Sequence, residues 1–119
     1  MSPTPPIDIM PDLGPAVVTH QAHAIELPPM CPVSGNPRAG SYVVIRYVPV
    51  GCFLEVYSLR AYVRRFVGGW LRDGRHIRDM EQVVQTIAAD CAAALGVTVA
   101  VRAHLNLDAG RMTLRAVAS

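Results

Sequence analysis

The chain switches between two hydrophobic periodicities, and the switches mark out its elements. Residues 41–48 (Ser-Tyr-Val-Val-Ile-Arg-Tyr-Val) are dense in β-branched and aromatic side chains and stop at Pro49-Val50-Gly51, which predicts a strand closed by a turn. Residues 52–57 resume the pattern, so the two stretches read as an antiparallel hairpin carrying Arg46 and Glu55 as its charges. The period then becomes 3.6. Leu59, Tyr62, Val63, Phe66, Val67 and Trp70 form one helical stripe, with Ser58 at the N-cap position and Arg60, Arg64 and Arg65 on the wet side. Gly68-Gly69 weakens the end of that helix, and Arg72-Asp73-Gly74-Arg75 breaks it. Ile77, Met80, Val84, Ile87, Ala88, Cys91 and Leu95 repeat the stripe up to Gly96, which terminates it. Alternation returns from Val97 to Leu105 and, after the turn at Asn106–Gly110, in Met112, Leu114 and Ala116.

The order is therefore β-β-α-α-β-β, an α+β layer in which both helices cover one face of an antiparallel sheet. Tyr42, Val43, Val44 and Ile45 are apolar on both alternations, so the second face and the open edges are expected to meet another subunit. A homo-oligomer follows from that expectation.

Composition adds boundaries. The chain is 51% hydrophobic over 119 residues, enough for one small core. Prolines crowd the start (Pro3, Pro5, Pro6, Pro11, Pro15, Pro28, Pro29), so residues 1–23 read as an extended or disordered tail and 24–119 as a single domain. A net charge of +2 does not argue for direct nucleic-acid binding, and no apolar run approaches the ~20 residues that span a membrane. All eleven basic residues are arginine, which excludes lysine Schiff-base chemistry. The cysteines (Cys31, Cys52, Cys91) form no C-x-x-C pair and no secretory segment precedes them, so a reduced, cytoplasmic protein is expected. His20, His23, His76 and His104 are scattered, and no metal site is expected. Cys91 falls on the apolar stripe and reads as core; His104 falls on a polar alternation.

Candidate chemistry concentrates in Met30–Gly40, Met-Cys-Pro-Val-Ser-Gly-Asn-Pro-Arg-Ala-Gly. Cys31 lies between Pro29 and Pro32, ahead of a second turn at Ser34-Gly35-Asn36-Pro37. Such a loop has a defined shape without being helix or strand, and a thiol on it is placed to act as a nucleophile.

These residues resemble the QueF family of 7-cyano-7-deazaguanine reductases, which have the tunnelling fold (T-fold). The family's Cys-Pro-x-Thr/Ser-Gly-Gln-Pro-Asp segment is similar to Cys31-Pro32-Val33-Ser34-Gly35-Asn36-Pro37-Arg38. Glu26 falls at the glutamate of a Pro-Glu-Phe-Thr run, Tyr47-Val48-Pro49 matches a Tyr-Ile-Pro strand end, and Glu55-Val56-Tyr57-Ser58-Leu59-Arg60 matches Glu-Ser-Lys-Ser-Leu-Lys. The resemblance implies a barrel-like ring of subunits with the site at their junction. It implies Cys31 as the nucleophile that adds to the nitrile of the deazapurine to give a thioimide. Glu55, His76 and Glu26 would contact the substrate, and Ser58 and Arg60 would hold NADPH. Arg38 replaces an aspartate that handles protons; beside Cys31 its guanidinium would favour the thiolate. Tyr57 replaces a lysine, and His76-Ile77-Arg78 departs from a His-Glu pair. The departures leave open a related amidinotransferase that resolves the thioimide with ammonia, a T-fold enzyme on another purine- or pterin-like substrate, or a non-catalytic oligomeric binder.

Overall fold

The computed structural model describes residues 7–69, 74–77 and 79–119. Trp70, Arg72, Asp73 and Arg78 lie outside the described residues. The elements are β1 (Ile9–Pro11), β2 (Gln21–Glu26), β3 (Tyr42–Tyr47), β4 (Cys52–Leu54), α1 (Val56–Arg64), α2 (Met80–Leu95), β5 (Val99–Leu107) and β6 (Gly110–Ala118). The main sheet is antiparallel with strand order β2-β3-β5-β6, and β1 pairs with β4 in a separate ribbon. The order β-β-α-α-β-β holds for the main sheet, with both helices between its two strand pairs.

The first strand pair is not the expected one. β3 pairs with β2 on one side and β5 on the other, so residues 52–54 have no place beside it. Instead the chain turns at Gly51 (φ 80°) and the Leu54 N–H donates to the Tyr47 hydroxyl at 2.9 Å. Proline content also misplaced the domain boundary: position 24 lies inside β2, and Ile7 is buried in the core. Backbone pairing explains this, because Gln21–Glu26 need few large apolar side chains when their amides bond to β3.

The helix-facing side of the sheet carries Val43, Ile45 and Tyr47 from β3 and Val99, Val101, Ala103 and Leu105 from β5, all buried. Leu59, Tyr62, Val63 and Phe66 pack onto them from the α1 side, and Val83, Val84, Ile87, Ala88, Cys91 and Leu95 from α2. The stripes read from the sequence are therefore mostly core, except Val67, which is half exposed; Trp70 lies outside the described residues. Burial pushes the Cys91 thiol up to about 12, as befits an inert core cysteine. α2 ends at Gly96 in the left-handed region (φ 70°), whose N–H donates to the Ala92 carbonyl. The two helices are joined by polar contacts as well: Tyr62 donates to Asp90 at 2.6 Å, and Arg75 pairs with Asp90 at 3.2 Å. Among the described residues no helix is long and apolar enough to cross a membrane.

Two helix starts differ from expectation. Glu55, not Ser58, caps α1, its two carboxylate oxygens accepting from the Tyr57 and Ser58 N–H groups. α2 begins at Met80 rather than Ile77, with Asp79 accepting from the Gln82 N–H.

Ser41 is fully buried at the end of β3. Its hydroxyl donates to the Arg38 carbonyl and accepts from the Asn106 N–H, both at 2.8 Å. Ser41→Ala leaves the Asn106 N–H without this acceptor and the Arg38 carbonyl with the Ser41 N–H alone, and should lower stability by about 1–3 kcal/mol. Urea unfolding measures this; an unchanged midpoint would show that the hydroxyl is not needed there.

Candidate active site

The connection between β2 and β3 is the Cys31 loop, and one residue organises it. The Asn36 carbonyl accepts from the N–H groups of both Met30 (2.9 Å) and Cys31 (3.0 Å), while the Gly35 N–H donates to the Cys31 carbonyl at 2.8 Å. These bonds close residues 30–36 on themselves, with Gly35 in the left-handed region (φ 72°) and the Asn36–Pro37 peptide cis. The Asn36 side chain reaches outward. Its amide nitrogen donates to Asp108 Oδ1 at 2.9 Å, and its oxygen accepts from the Asp108 N–H at 3.0 Å. The loop is thereby fixed to the β5–β6 turn. The Asn36 bond, the largest cause, holds the Asp108 carboxyl below the usual range, with the Ala109 N–H and the Arg38 charge adding to it. Its contribution is present at neutral pH and is lost as pH falls through the lowered value.

A second tie runs to the segment after α1. The Gly68 N–H donates to the Met30 carbonyl at 2.9 Å, and the Ile77 N–H donates to the Gly69 carbonyl at 2.6 Å. Gly68 and Gly69 both lie in the left-handed region (φ 83° and 81°). A Cβ on Gly69 would stand 2.7 Å from the Ile77 carbonyl, so the approach requires glycine. This chain of contacts brings the residue before Cys31 and the residue after His76 to one place.

Between them lies a cavity of about 440 Å³, within the range of small-molecule sites. Among the described residues, Cys31, His76, Asp79 and Glu81 are its ionisable lining groups, with Met30, Phe66 and Met80 among the apolar ones. The Cys31 thiol is exposed and accepts from the Ser34 N–H at 3.4 Å. Hydrogen bonding from Ser34, its hydroxyl first and then its backbone N–H, holds the thiol below its ordinary range, with the Val33 N–H behind.

Of the residues singled out in the sequence, the structure brings only Cys31 and His76 into this cavity. Arg38 is not among its lining residues: Nη2 donates to the Ser34 carbonyl at 2.7 Å and Nε to Asn36 Oδ1 at 3.3 Å. It braces the loop, and the lowered Cys31 pKa has Ser34 and Val33 as its causes instead of the guanidinium. Glu55 and Ser58 lie together at the start of α1, where the Ser58 hydroxyl accepts from the Asp8 N–H and donates to the Glu55 carbonyl. Hydrogen bonds from the Ser58 and Tyr57 N–H groups hold the Glu55 carboxyl below its usual range. Arg60 is exposed on α1. Glu26 ends β2 opposite Tyr42, on the sheet face away from the helices.

Asp79 and Glu81 escaped the sequence reading. The signal was present: Asp79-x-x-Gln82 before an apolar stripe is a capping pattern, and it puts Glu81 in the first turn of α2.

No protein-family profile matches the sequence, and no curated protein matches it. Among solved structures, the fold is similar to the archaeosine synthase QueF-Like in its apo form, with a TM-score of 0.57 and 14% identity over 88% of this chain and 95% of that one.

With Cys31 as the reactive thiol, iodoacetamide should alkylate it at lower pH than an ordinary cysteine and leave Cys91 untouched in the folded protein. Ser34→Ala removes the largest cause of the lowered pKa and should move the Cys31 inflection upward. Peptide mass spectrometry across a pH series reads both; coincident profiles for the two proteins would contradict the assignment to Ser34. The architecture and its likeness to that synthase make this chain an α+β protein of the QueF-like tunnelling fold.

Proposed function

We propose that this protein is an enzyme that captures the nitrile carbon of 7-cyano-7-deazaguanine on Cys31 as a covalent thioimide. The observation carrying this reading is the thiol itself, exposed at a cavity of small-molecule size and held toward its ionised form by Ser34. A nitrile carbon is electrophilic and a thiolate is the strongest nucleophile in the cavity. In the addition a sulfur–carbon bond forms, one carbon–nitrogen π bond breaks, and the proton given up by the thiol ends on nitrogen. The fold shared with a protein named as a synthase supports an enzymatic role.

The resemblance implies NADPH at Ser58 and Arg60, and the residues there do not fit it. The Ser58 hydroxyl is engaged by the Asp8 N–H and the Glu55 carbonyl, and exposed Tyr57 stands where the family has a lysine. Hydride transfer therefore draws no support from these side chains. The same observation favours a second reading, in which ammonia resolves the thioimide: a carbon–nitrogen bond forms, the carbon–sulfur bond breaks, and sulfur regains a proton. Assembly into a homo-oligomer is part of the proposal. Glu55 and Glu26 lie apart from the Cys31 cavity within one chain, and a junction between copies is where they would reach the deazapurine.

Incubation with the nitrile base should add the mass of one whole base to the Cys31 peptide, and Cys31→Ser should abolish the adduct without unfolding the protein. Ammonia should then release an amidine, whereas NADPH should not be consumed. Absence of any adduct on wild-type Cys31 would reject the reading in favour of a different substrate or a non-catalytic binder.

A further inference from the structure

We propose that the helix-free face of the sheet is a second binding site, for an oligophosphate anion. It is separate from the Cys31 cavity and does not depend on the chemistry proposed there.

Strand register places the charges. The outward positions of β3, β5 and β6 include Arg46, Arg102, Arg111 and Arg115, all exposed. Arg102 and Arg115 are direct cross-strand partners, which puts their Cβ atoms about 4.5–5.5 Å apart. Arg46 opposes Ala100 and Arg102 opposes Val44, so Arg46 is the diagonal neighbour of Arg102, about 7–8 Å away. Three guanidinium side chains thus form one row across three adjacent strands. Among the described residues, Glu26 is the one carboxylate the strands present on this side; it lies on β2, with β3 between it and Arg102. Like charges in directly opposed positions destabilise a strand pair. No ion pair with the described residues offsets that cost here. A bound multivalent anion would reverse it.

The donor surface continues toward the Cys31 loop. A cavity of about 290 Å³ opens there, lined by Tyr42, His104, Asn106, Arg111 and Thr113, and no carboxylate lines it among the described residues. Thr113 is the cross-strand partner of His104, and Arg111 that of Asn106. Cationic and hydroxyl donors therefore run along β6 from Arg115 through Thr113 to Arg111, about 13 Å at ~3.4 Å per residue.

Charge complementarity selects the occupant. Guanidinium forks grip phosphoryl oxygens in pairs, so a row of them matches a chain of phosphoryl groups better than a lone carboxylate. A second copy packed face to face, as the apolar run at Tyr42–Ile45 led one to expect, would set arginine against arginine. Association through the sheet edges leaves this face open. A compact anion fits better than a long polymer, because β2 presents Ala22, Ala24 and Glu26 on this side and the basic row stops at β3.

Isothermal titration calorimetry of the full chain with inorganic triphosphate tests the site. The wild type should bind it, and the double variant Arg102→Gln, Arg115→Gln should bind about tenfold more weakly or worse. Arg64→Gln removes the same kind of charge from exposed α1, on the other side of the sheet, and should change binding by less than about twofold. Thermal unfolding gives a second readout. Without ligand the double variant should melt above the wild type, since the opposed pair no longer repels, and triphosphate should raise the wild-type midpoint more than the variant's. No binding by the wild type, an equal loss in Arg64→Gln, or a double variant that melts no higher would each overturn the site. Much tighter binding of a nucleoside triphosphate or of a short single-stranded RNA would overturn the bare phosphate chain as its occupant.

Discussion

Asn36 is the residue on which the candidate site depends. Its carbonyl closes the loop by accepting from Met30 and Cys31, and its side chain bonds Asp108 in both directions. One residue thereby sets the shape of the loop and its attachment to the sheet. Exposed hydrogen bonds of this kind contribute modestly to stability. Their larger effect is geometric. A loop as short as 30–36 has few ways of satisfying the same donors elsewhere, so the Cys31 thiol is presented in one orientation.

The remaining contacts extend that constraint. Ser41 and Asn106 fix the far end of the loop, and the Gly68–Gly69 step carries the near end across to Ile77 and the start of α2. The cavity is what these three attachments enclose. It lies beside the hydrophobic core rather than in it, because loop, glycine step and helix start contribute polar backbone that a core could not hold unpaired. The same arrangement separates chemistry from stability: changes of volume on the buried face of the sheet are costly, whereas Val33 at the loop tip is almost wholly exposed.

Much of this was legible in the sequence. The apolar stripe of α2, that of α1 as far as Phe66, the glycine stop at Gly96 and the alternation of β5 and β6 each follow one period, and the structure keeps them. β2 was not legible, since Gln-Ala-His-Ala-Ile-Glu has little bulk to bury and lies beyond a proline-rich stretch. The expected hairpin failed for a long-range reason: β5 fills the place beside β3, which nothing local to residues 41–57 could reveal. At the site, Cys31 was legible from its prolines and His76 from the resemblance. The bracing role of Arg38 was not, because it depends on where the Ser34 carbonyl and Asn36 amide point after the loop closes.

The central claim is that the Asn36 side chain, through Asp108, keeps residues 30–36 of the Cys31 loop closed. Amide hydrogen exchange on the wild-type protein and on Asn36→Ala tests it directly. The account predicts that the Met30, Cys31 and Asp108 amides are protected in the wild type and lose protection together in the variant. Loss of protection at Asp108 alone, with Met30 and Cys31 still slow, would contradict it by showing that the loop closes without its tether.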